Sequence, residues 1–424
     1  MLTRTITFGT NLNMAAEVIV IGGGAAGMLA ARRAAECGAR VTLLEKNDRL
    51  GMKILISGGG KCNLTHDGPM EDVRAKFRPN EARFLKPSFY RFTNRDFLRI
   101  LHDRGMETYT RPDGRIFPVE PANAKDVVAL LTRYVEEAGV SIGYGAAVTG
   151  LVADEGRMRA VQVGAETVRA ERVVVSTGGS SYPATGTTGD GWRWLAALGH
   201  TLVPLRAALA PLYLAEAAPE WSGVALRDTV LRARAGSGGK EFMRWQGDLL
   251  FTHKGVSGPT ALGVSREVAE RESASAVEAD LAPGLTWEEL QTELRRQARD
   301  NPRKTVGALA APFVPARLLE PLLQAAGVPG ETRGAHLTAK ALNKLVTTLK
   351  GWPLGTVRHV PLERGEVVAG GIALDEVDPQ TMRSRLVEGL LLCGEVLDIA
   401  GPVGGYNLQA AWSTGWAAGE AATQ

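Results

Sequence analysis

The sequence predicts an α/β fold in which a nucleotide-binding domain is interrupted by a long insertion. Three observations carry that prediction. Short apolar runs ending in glycine recur at residues 17–22, 171–180, 367–374 and 386–398, the pattern of parallel strands buried on both faces. The first run leads into a Gly-x-Gly-x-x-Gly spacing and an alanine-rich stretch. Between residues 201 and 364 the pattern changes, first to alternation with prolines and then to a mainly helical stretch.

Each element follows from its residues. EVIVIG (17–22) reads as a buried strand, and GGGAAG (22–27) opens a helix, MLAARRAAECG, that stops at Gly38. RVTLLE (40–45) is the next strand and completes a βαβ unit. A second glycine run occupies 50–66 (LGMKILISGGGKCNLTH), and a polar, arginine-rich section follows to about residue 120. The spacing predicts an amphipathic helix over 125–138, a strand over 171–180 and a helix over 189–200. Residues 201–285 and 351–364 are expected to be β-rich, with hairpins over 222–251 around the loop AGSGGK. Residues 286–350 are expected to be helical, with a break at 325–334, and 404–422 to be a terminal helix. The predicted domains are therefore 15–200 together with 365–424, and an insertion at 201–364. Residues 1–13 read as a loose extension, with Met14 a candidate native start.

Composition narrows the function classes. A chain of 424 residues suggests two or three domains, each able to bury its own core. Hydrophobic residues at 45% and charged residues at 22% exclude disorder for the bulk of the chain. The 50 glycines are about 12% of the chain against a usual ~7%, and they cluster where turns and close backbone approaches are needed. With 49 basic and 46 acidic side chains the net charge is +3, without a basic tail, which argues against a dedicated nucleic-acid binder. Cys37, Cys62 and Cys393 are far apart and form no CxxC pair. That argues against a disulfide framework or structural zinc and fits a reducing cytoplasm. No window is apolar enough to span a bilayer, so no membrane partner is expected. The 6 histidines show no metal-ligand spacing, and no metal is expected. Oligomeric state is not encoded in any motif.

The motifs point to a bound nucleotide. Gly22 allows the tight turn, Gly24 lets a pyrophosphate approach the backbone, and Gly27 lets helix and strand pack closely. The phosphates then sit on a helix N-terminus. Glu45 ends the next strand, 18 residues after Gly27, where a carboxylate accepts from ribose hydroxyls. SGGGKCN (57–63) supplies a nest of backbone N–H groups with the charge of Lys61 beside it. STGGSSYP (176–183) and CGEVLDIAGPVGGYNLQ (393–409) end further strands in glycine pairs. The second of these carries Glu395 and Asp398 and then starts a helix whose N-terminus suits an electron-rich ring edge. The cofactor-binding set also takes in Lys46, Lys53, Gly394 and Gly405. No second Gly-x-Gly-x-x-Gly is present, so any NAD(P)H has to bind transiently as a co-substrate.

Six stretches together resemble one family: VIVIGGGAAGMLAA, KILISGGGKCNLTH, STGGSSYPATGTTGDG, GDLLFTHKGVSGP, VVAGGIALDEVDPQTM and LCGEVLDIAGPVGGYNLQAAWSTG. In this order they look like the successive motifs of the HI0933-like (YhiN-like, BaiN-like or aminoacetone-oxidase-family) flavoproteins, across nearly the whole chain. The resemblance implies FAD on a Rossmann-type domain of the glutathione-reductase kind, with a β-rich and helical insertion. It implies that Glu45 holds the adenosine ribose, and that Gly22, Gly24, Ala26 and Gly27 form the pyrophosphate loop. Val148 would meet the adenine through its backbone, and residues 57–63 (Ser57, Gly58, Gly59, Gly60, Lys61, Asn63) would wrap the pyrophosphate and flavin. Thr177 and Gly178 would line the AMP side, Glu395 the ribityl chain, and Asn407 and Leu408 the O2 edge of the ring. Lys61 stands where arginine is expected in many relatives; it keeps the charge and loses the bidentate fork.

No residue is assigned the catalytic role. His253 and Lys254, at an apparent strand-to-helix junction, are candidates to face the flavin or bind an acidic substrate, against the simpler reading of a docking loop. Tyr406 and Tyr182 adjoin glycine runs and are weighed as proton donors against plain packing. Cys62 follows Lys61, a cation able to lower its thiol pKa, against the reading of a small loop residue. The leading expectation is an FAD-dependent oxidoreductase moving a hydride to or from a small organic molecule, with NAD(P)H as donor or oxygen as acceptor. Its substrate pocket is expected at the boundary with the insertion. One alternative is an FAD-containing RNA-modifying protein, for which TELRRQARDNPRK (292–304) offers a basic cluster, although that stretch reads more readily as a solvated helix face. Another is an NAD-binding module without flavin.

Overall fold

A computed structural model describes residues 17–271 and 273–424; the extension at 1–13 and the start at Met14 lie outside the described residues. The chain divides into two compact units, one running to residue 205 and resuming at 366, the other spanning 206–365.

The first unit is built on a five-stranded sheet in the order Leu390–Leu392, Arg172–Val175, Val18–Ile21, Val41–Glu45, Ser141–Tyr144. Every neighbouring pair is parallel. The central strands are continuous apolar runs because both faces are covered. Ile21 pairs with both Leu44 and Val175, and Val175 with Leu392. The carboxyl ends therefore line up, and the glycine loops at 22–27, 176–179 and 393–395 emerge along one edge. The strand order reverses around Val18–Ile21, the topological switch point at which ligands bind open α/β sheets.

Small residues bring two helices together on this sheet. Ala25–Glu36 packs on Tyr406–Ala421. A Cβ on Gly415 would lie 2.2 Å from the Ala26 carbonyl oxygen, and one on Gly419 2.3 Å from that of Ala30. The arginine-rich section to residue 120 carries more structure than its polarity suggests. It holds Pro79–Arg91 and Asn94–His102, and a small antiparallel sheet of Thr65–His66, Arg115–Pro118 and Thr108–Thr110. Phe89, Phe97 and Phe117 are fully buried beneath the charged surface. A further antiparallel sheet, Val148–Asp154 with Arg157–Val163 and Glu166–Arg169, completes the unit. The apolar run at 386–398 yields only a three-residue strand, Leu390–Leu392. Gly389 (φ +81°) breaks it on one side and Gly394 (φ +73°) on the other.

The second unit is a closed antiparallel barrel of Leu212–Leu214, Gly255–Ser257, Glu241–Thr252, Ala225–Ala235, Ser275–Asp280 and Trp352–His359. One apolar core runs from the barrel (Leu231, Leu249, Trp352) into Trp287–Asp300, Ala316–Ala326 and Ala339–Lys350. Within the stretch expected to be β-rich, Gly258–Glu270 is a helix, entered through Pro259 in its first turn. Among the described residues no single helix is long and apolar enough to cross a membrane.

Candidate functional site

The carboxyl edge of the parallel sheet gathers four glycine-bearing segments. In the first, Gly22 has φ +100°, and a Cβ there would meet the Ser176 carbonyl oxygen at 2.6 Å. A Cβ on Gly27 would fall 1.9 Å from the Gly22 carbonyl oxygen, so strand and helix touch through it. Gly24 is different. Its φ of −80° suits any residue, and a Cβ there would meet nothing within 4 Å. No feature of the protein itself requires glycine at that point. The helix it begins has no side-chain cap and no acidic residue in its first turn, leaving its N–H groups and dipole facing open space.

Glu45 is buried at the end of the neighbouring strand. Its Oε2 accepts from Gly23 N at 2.7 Å and its Oε1 from Asn47 N at 2.8 Å, which fixes the carboxylate beside the loop. The segment leading to Val148 is tied to the same corner, because Ala146 N donates to the Glu45 carbonyl at 2.9 Å. Lys46 turns elsewhere: its ammonium donates to Thr188 Oγ1 at 2.7 Å and pairs with Asp190 at 2.8 Å.

In the second segment, Gly58, Gly59 and Gly60 have φ of +58°, +68° and +85°, and Cys62 follows at +61°. A Cβ on Gly59 would meet nothing, so this backbone too lies open. Ser57 Oγ donates to the Ile54 carbonyl at 2.8 Å. The Asn63 side chain accepts from Gly405 N at 2.8 Å and ties this loop to the fourth segment. Lys61 points its ammonium to Glu120 at 2.9 Å, and both side chains are exposed. It does not activate Cys62, whose fully buried thiol is pushed up to about 12 by loss of water. The expected lowering of the Cys62 thiol pKa by Lys61 is thereby corrected, since a thiol so buried stays protonated.

The third segment leaves two hydroxyls unsatisfied. Thr177 Oγ1 and Ser180 Oγ are buried and have no hydrogen-bond partner. Beside them Gly178 has φ +72°. Lys53 donates to Ser181 Oγ at 2.9 Å and pairs with Glu395 Oε2 at 2.7 Å. The other oxygen of Glu395 accepts from Val368 N at 3.0 Å, and Asp398 Oδ1 accepts from Gly370 N at 3.0 Å. The two carboxylates therefore fasten the strand Val367–Ile372.

The fourth segment starts the terminal helix at Gly405 (φ +89°), again without a side-chain cap or an acidic residue in the first turn. Asn407 holds the preceding loop by accepting from Gly401 N at 2.8 Å and donating to its carbonyl at 2.9 Å. The amides of the first turn, Leu408 among them, have no partner within the helix. Tyr406 is buried and stacks on His66 with ring centroids 4.5 Å apart, and burial pushes its phenol up to about 12. Packing accounts for it. His253 and Lys254 belong to the other unit, on the exposed turn between Glu241–Thr252 and Gly255–Ser257. This corrects the expected strand-to-helix junction: the helix begins only at Gly258. The Lys254 ammonium sits 5.2 Å from the ring centre of Tyr213.

Two features of the site carry no sequence signal: Ser180 lies outside any spacing rule, and His66 is the third residue after the 57–63 loop. No cluster among the described residues has a metal-holding set of ligands.

An edge of unpaired backbone N–H groups, orphaned hydroxyls and open glycines is suited to an extended anionic nucleotide. The comparisons agree. The family model described as the HI0933-like protein Rossmann domain matches residues 16–421. The chain belongs to this family. Its fold is accordingly the Rossmann-type FAD-binding fold. A ribosomal RNA dihydrouridine synthase of Escherichia coli is 32% identical over 408 residues, 95% of this chain and 96% of its own length. A 3-dehydro-bile acid delta(4,6)-reductase of Clostridium scindens is 28% identical over 411 residues, 96% of this chain and 98% of its own. The solved 3-ketosteroid delta1-dehydrogenase of Sterolibacterium denitrificans is similar in fold, with a TM-score of 0.53 at 14% identity. That match covers 96% of this chain and 99% of the dehydrogenase. The HI0933-like chain is thus an oxidoreductase of the FAD-dependent type.

Proposed function

We propose that this HI0933-like protein is an FAD-dependent reductase that saturates a carbon–carbon double bond conjugated with a carbonyl in a small organic substrate, with NAD(P)H as transient donor. One observation carries the reading. Two relatives that match end to end, the dihydrouridine synthase and the bile-acid reductase, are named for different substrates and for the same kind of bond change. Bound FAD supplies hydride chemistry. The chain supplies the cradle. Gly24 and the uncapped helix behind it receive the pyrophosphate, and Glu45 accepts from the adenosine ribose. Glu395, steadied by Lys53, faces the ribityl chain. Thr177 and Ser180 have hydroxyls to offer the nucleotide, and the N-terminus of Tyr406–Ala421 favours negative charge at the ring's O2 edge.

RNA as substrate is favoured by the 32% identity to the ribosomal RNA enzyme. The basic cluster at 292–304 supports it little. Arg296 is paired with Glu293 and Asp300, and Arg299 with Asp300, so much of that charge is neutralised on its own helix. The test is anaerobic and uses the purified protein. NADH or NADPH should bleach its flavin spectrum. A 4-en-3-one should then restore the colour and gain two hydrogens by mass. If only unmodified ribosomal RNA restores the colour, with binding that weakens steeply as salt rises, the substrate is RNA. A protein that takes up no flavin at all sinks both readings.

A further inference from the structure

The peptide bond between Gly404 and Gly405, directly before the terminal helix Tyr406–Ala421, is gripped at both ends. Its N–H, on Gly405, donates to the Asn63 side chain at 2.8 Å. Its carbonyl, on Gly404, accepts from His66 Nδ1 at 3.0 Å. A carbonyl can only accept, so the imidazole carries its proton on Nδ1, and Nε2 holds the lone pair of the neutral ring. Nε2 has no hydrogen-bond partner among the described residues. The same ring stacks on Tyr406, the first residue of the helix, with centroids 4.5 Å apart.

The surroundings are shaped for this grip. Gly404 and Gly405 have φ of +138° and +89°. A Cβ on Gly405 would be 2.5 Å from the Thr65 carbonyl oxygen, and one on Gly404 would be 3.4 Å from His66 Nδ1, so the peptide lies directly against Thr65–His66. A Cβ on Gly114 would fall 2.4 Å from His66 Nε2, so that glycine leaves its space to the imidazole. The short strand carrying His66 is held independently of the glycine pair. Thr65 and His66 pair with Ile116 and Arg115, and Asn94 Nδ2 donates to the His66 carbonyl at 2.8 Å. Thr65 Oγ1 donates to Gln409 Oε1 at 2.6 Å, which ties that strand to the helix as well. A peptide between two glycines turns over at little steric cost, because neither neighbour has a Cβ to restrain it. Here two side chains of the preceding loop hold it in one orientation.

We propose that His66, together with Asn63, is a positioning residue that clamps the Gly404–Gly405 peptide and so fixes the first-turn amides of the terminal helix for the cofactor, an assignment that rests on the proposed placement of the ring's O2 edge at this N-terminus. Two electrons and one proton taken up by the ring leave one negative charge on it, and oriented N–H groups stabilise that charge. His66 therefore raises the reduction potential of the bound flavin, acting through the backbone it holds. Without the Nδ1–H donor the Gly404 carbonyl loses its anchor and the peptide is free to turn. Its oxygen then comes to the side where the N–H had pointed, and a carbonyl dipole there opposes the charge that the helix N-terminus favours.

The experiment uses the full chain and its His66→Leu and His66→Asn variants. The first readout needs neither cofactor nor turnover. In protein labelled with ¹⁵N at histidine, at about pH 8 where imidazoles are neutral, the signal lost in His66→Asn should report a proton on Nδ1 and a bare Nε2. The second is the two-electron potential of the FAD-loaded protein, reduced stepwise by dithionite beside a redox dye. His66→Leu should weaken the binding of reduced relative to oxidised FAD about tenfold, which lowers the potential by about 30 mV. His66→Asn, whose side-chain amide offers an N–H in the place of Nδ1–H, should recover most of that shift. A proton found on Nε2 overturns the proposal, as does a Leu variant with the wild-type potential or an Asn variant that recovers nothing. A wild-type protein that takes up no FAD overturns the proposal together with the function it rests on. The ¹⁵N signal, read on the protein without cofactor, tells a failed clamp from a failed cofactor reading.

Discussion

Gly24 in the first unit and Gly284 in the second invite comparison. Among the described residues they are the two glycines whose Cβ would meet nothing within 4 Å and whose φ is not left-handed. The other open glycines, such as Gly38 or Gly59, are explained by a positive φ. Gly284 lies in an exposed turn after Pro283, where Leu285 N donates to the Ala282 carbonyl at 3.1 Å and water is the only neighbour. Gly24 is half-buried at the N-terminus of a twelve-residue helix, against uncapped N–H groups. Glycine in a turn can be incidental, whereas glycine in a concave, donor-lined position keeps room for something outside the chain.

The largest effect should follow from filling that room. Gly24→Val adds a branched side chain to an extended residue that tolerates it, at about 1 kcal/mol for a poorer helix start. On the proposed reading the same atoms take the place of the pyrophosphate. The variant should fold, keep a melting temperature close to that of the wild-type apoprotein, and bind FAD at least about 100-fold more weakly in a fluorescence titration. A folded variant with full FAD would mean that Gly24 is as incidental as Gly284 and that the phosphates lie elsewhere.

Among the described residues both units hold buried hydroxyls without a partner, Thr177 and Ser180 in the first and Ser275 in the second, but at different places. Those two of the first stand at its carboxyl edge. In the second, Asp280 is 4% exposed and fully engaged, with Arg232 Nη2 at 2.7 Å, Lys350 Nζ at 2.8 Å and Ala282 N at 3.0 Å. Asp280→Ala removes the shortest ion pair of both cations, leaving Arg232 to Glu278 and Glu241 and Lys350 to two backbone carbonyls, and should cost about 3 kcal/mol. By calorimetry the transition should move down by about 6–12 °C, with bound FAD per chain unchanged at low temperature. An equal loss of flavin would show that the barrel network serves the cofactor.

What the sequence made legible was local. The βαβ unit, its turn glycines and Glu45 are specified within about thirty residues, and strand, helix and acidic end appear where the spacing puts them. The motif order across the chain supplied the choice of FAD. Partners distant in the chain were not legible. Nothing in SGGGKCN reveals that Lys61 turns to Glu120, 59 residues on, or that Asp398 spends an oxygen on Gly370 N. The small sheet around Arg115–Pro118 was hidden because its strands are only two to four residues long, too short for alternation to show.

The smallest expected effect is the sharpest control on the comparison. Pro283 presets the second position of the turn 282–285, and a type II turn would need a positive φ at Gly284, which it lacks. Alanine therefore fits the existing backbone and meets no atom. Its benefit arises in the unfolded chain, which loses freedom that glycine would have kept, so Gly284→Ala should stabilise by about 0.4–1 kcal/mol and leave FAD affinity untouched. Alanine at Gly24 fits its backbone equally well in the apoprotein. If Gly284→Ala raises the melting temperature while Gly24→Ala lowers FAD affinity, two glycines that both leave room for a Cβ are separated by their surroundings, and the space before Gly24 is assigned to a ligand without recourse to any relative.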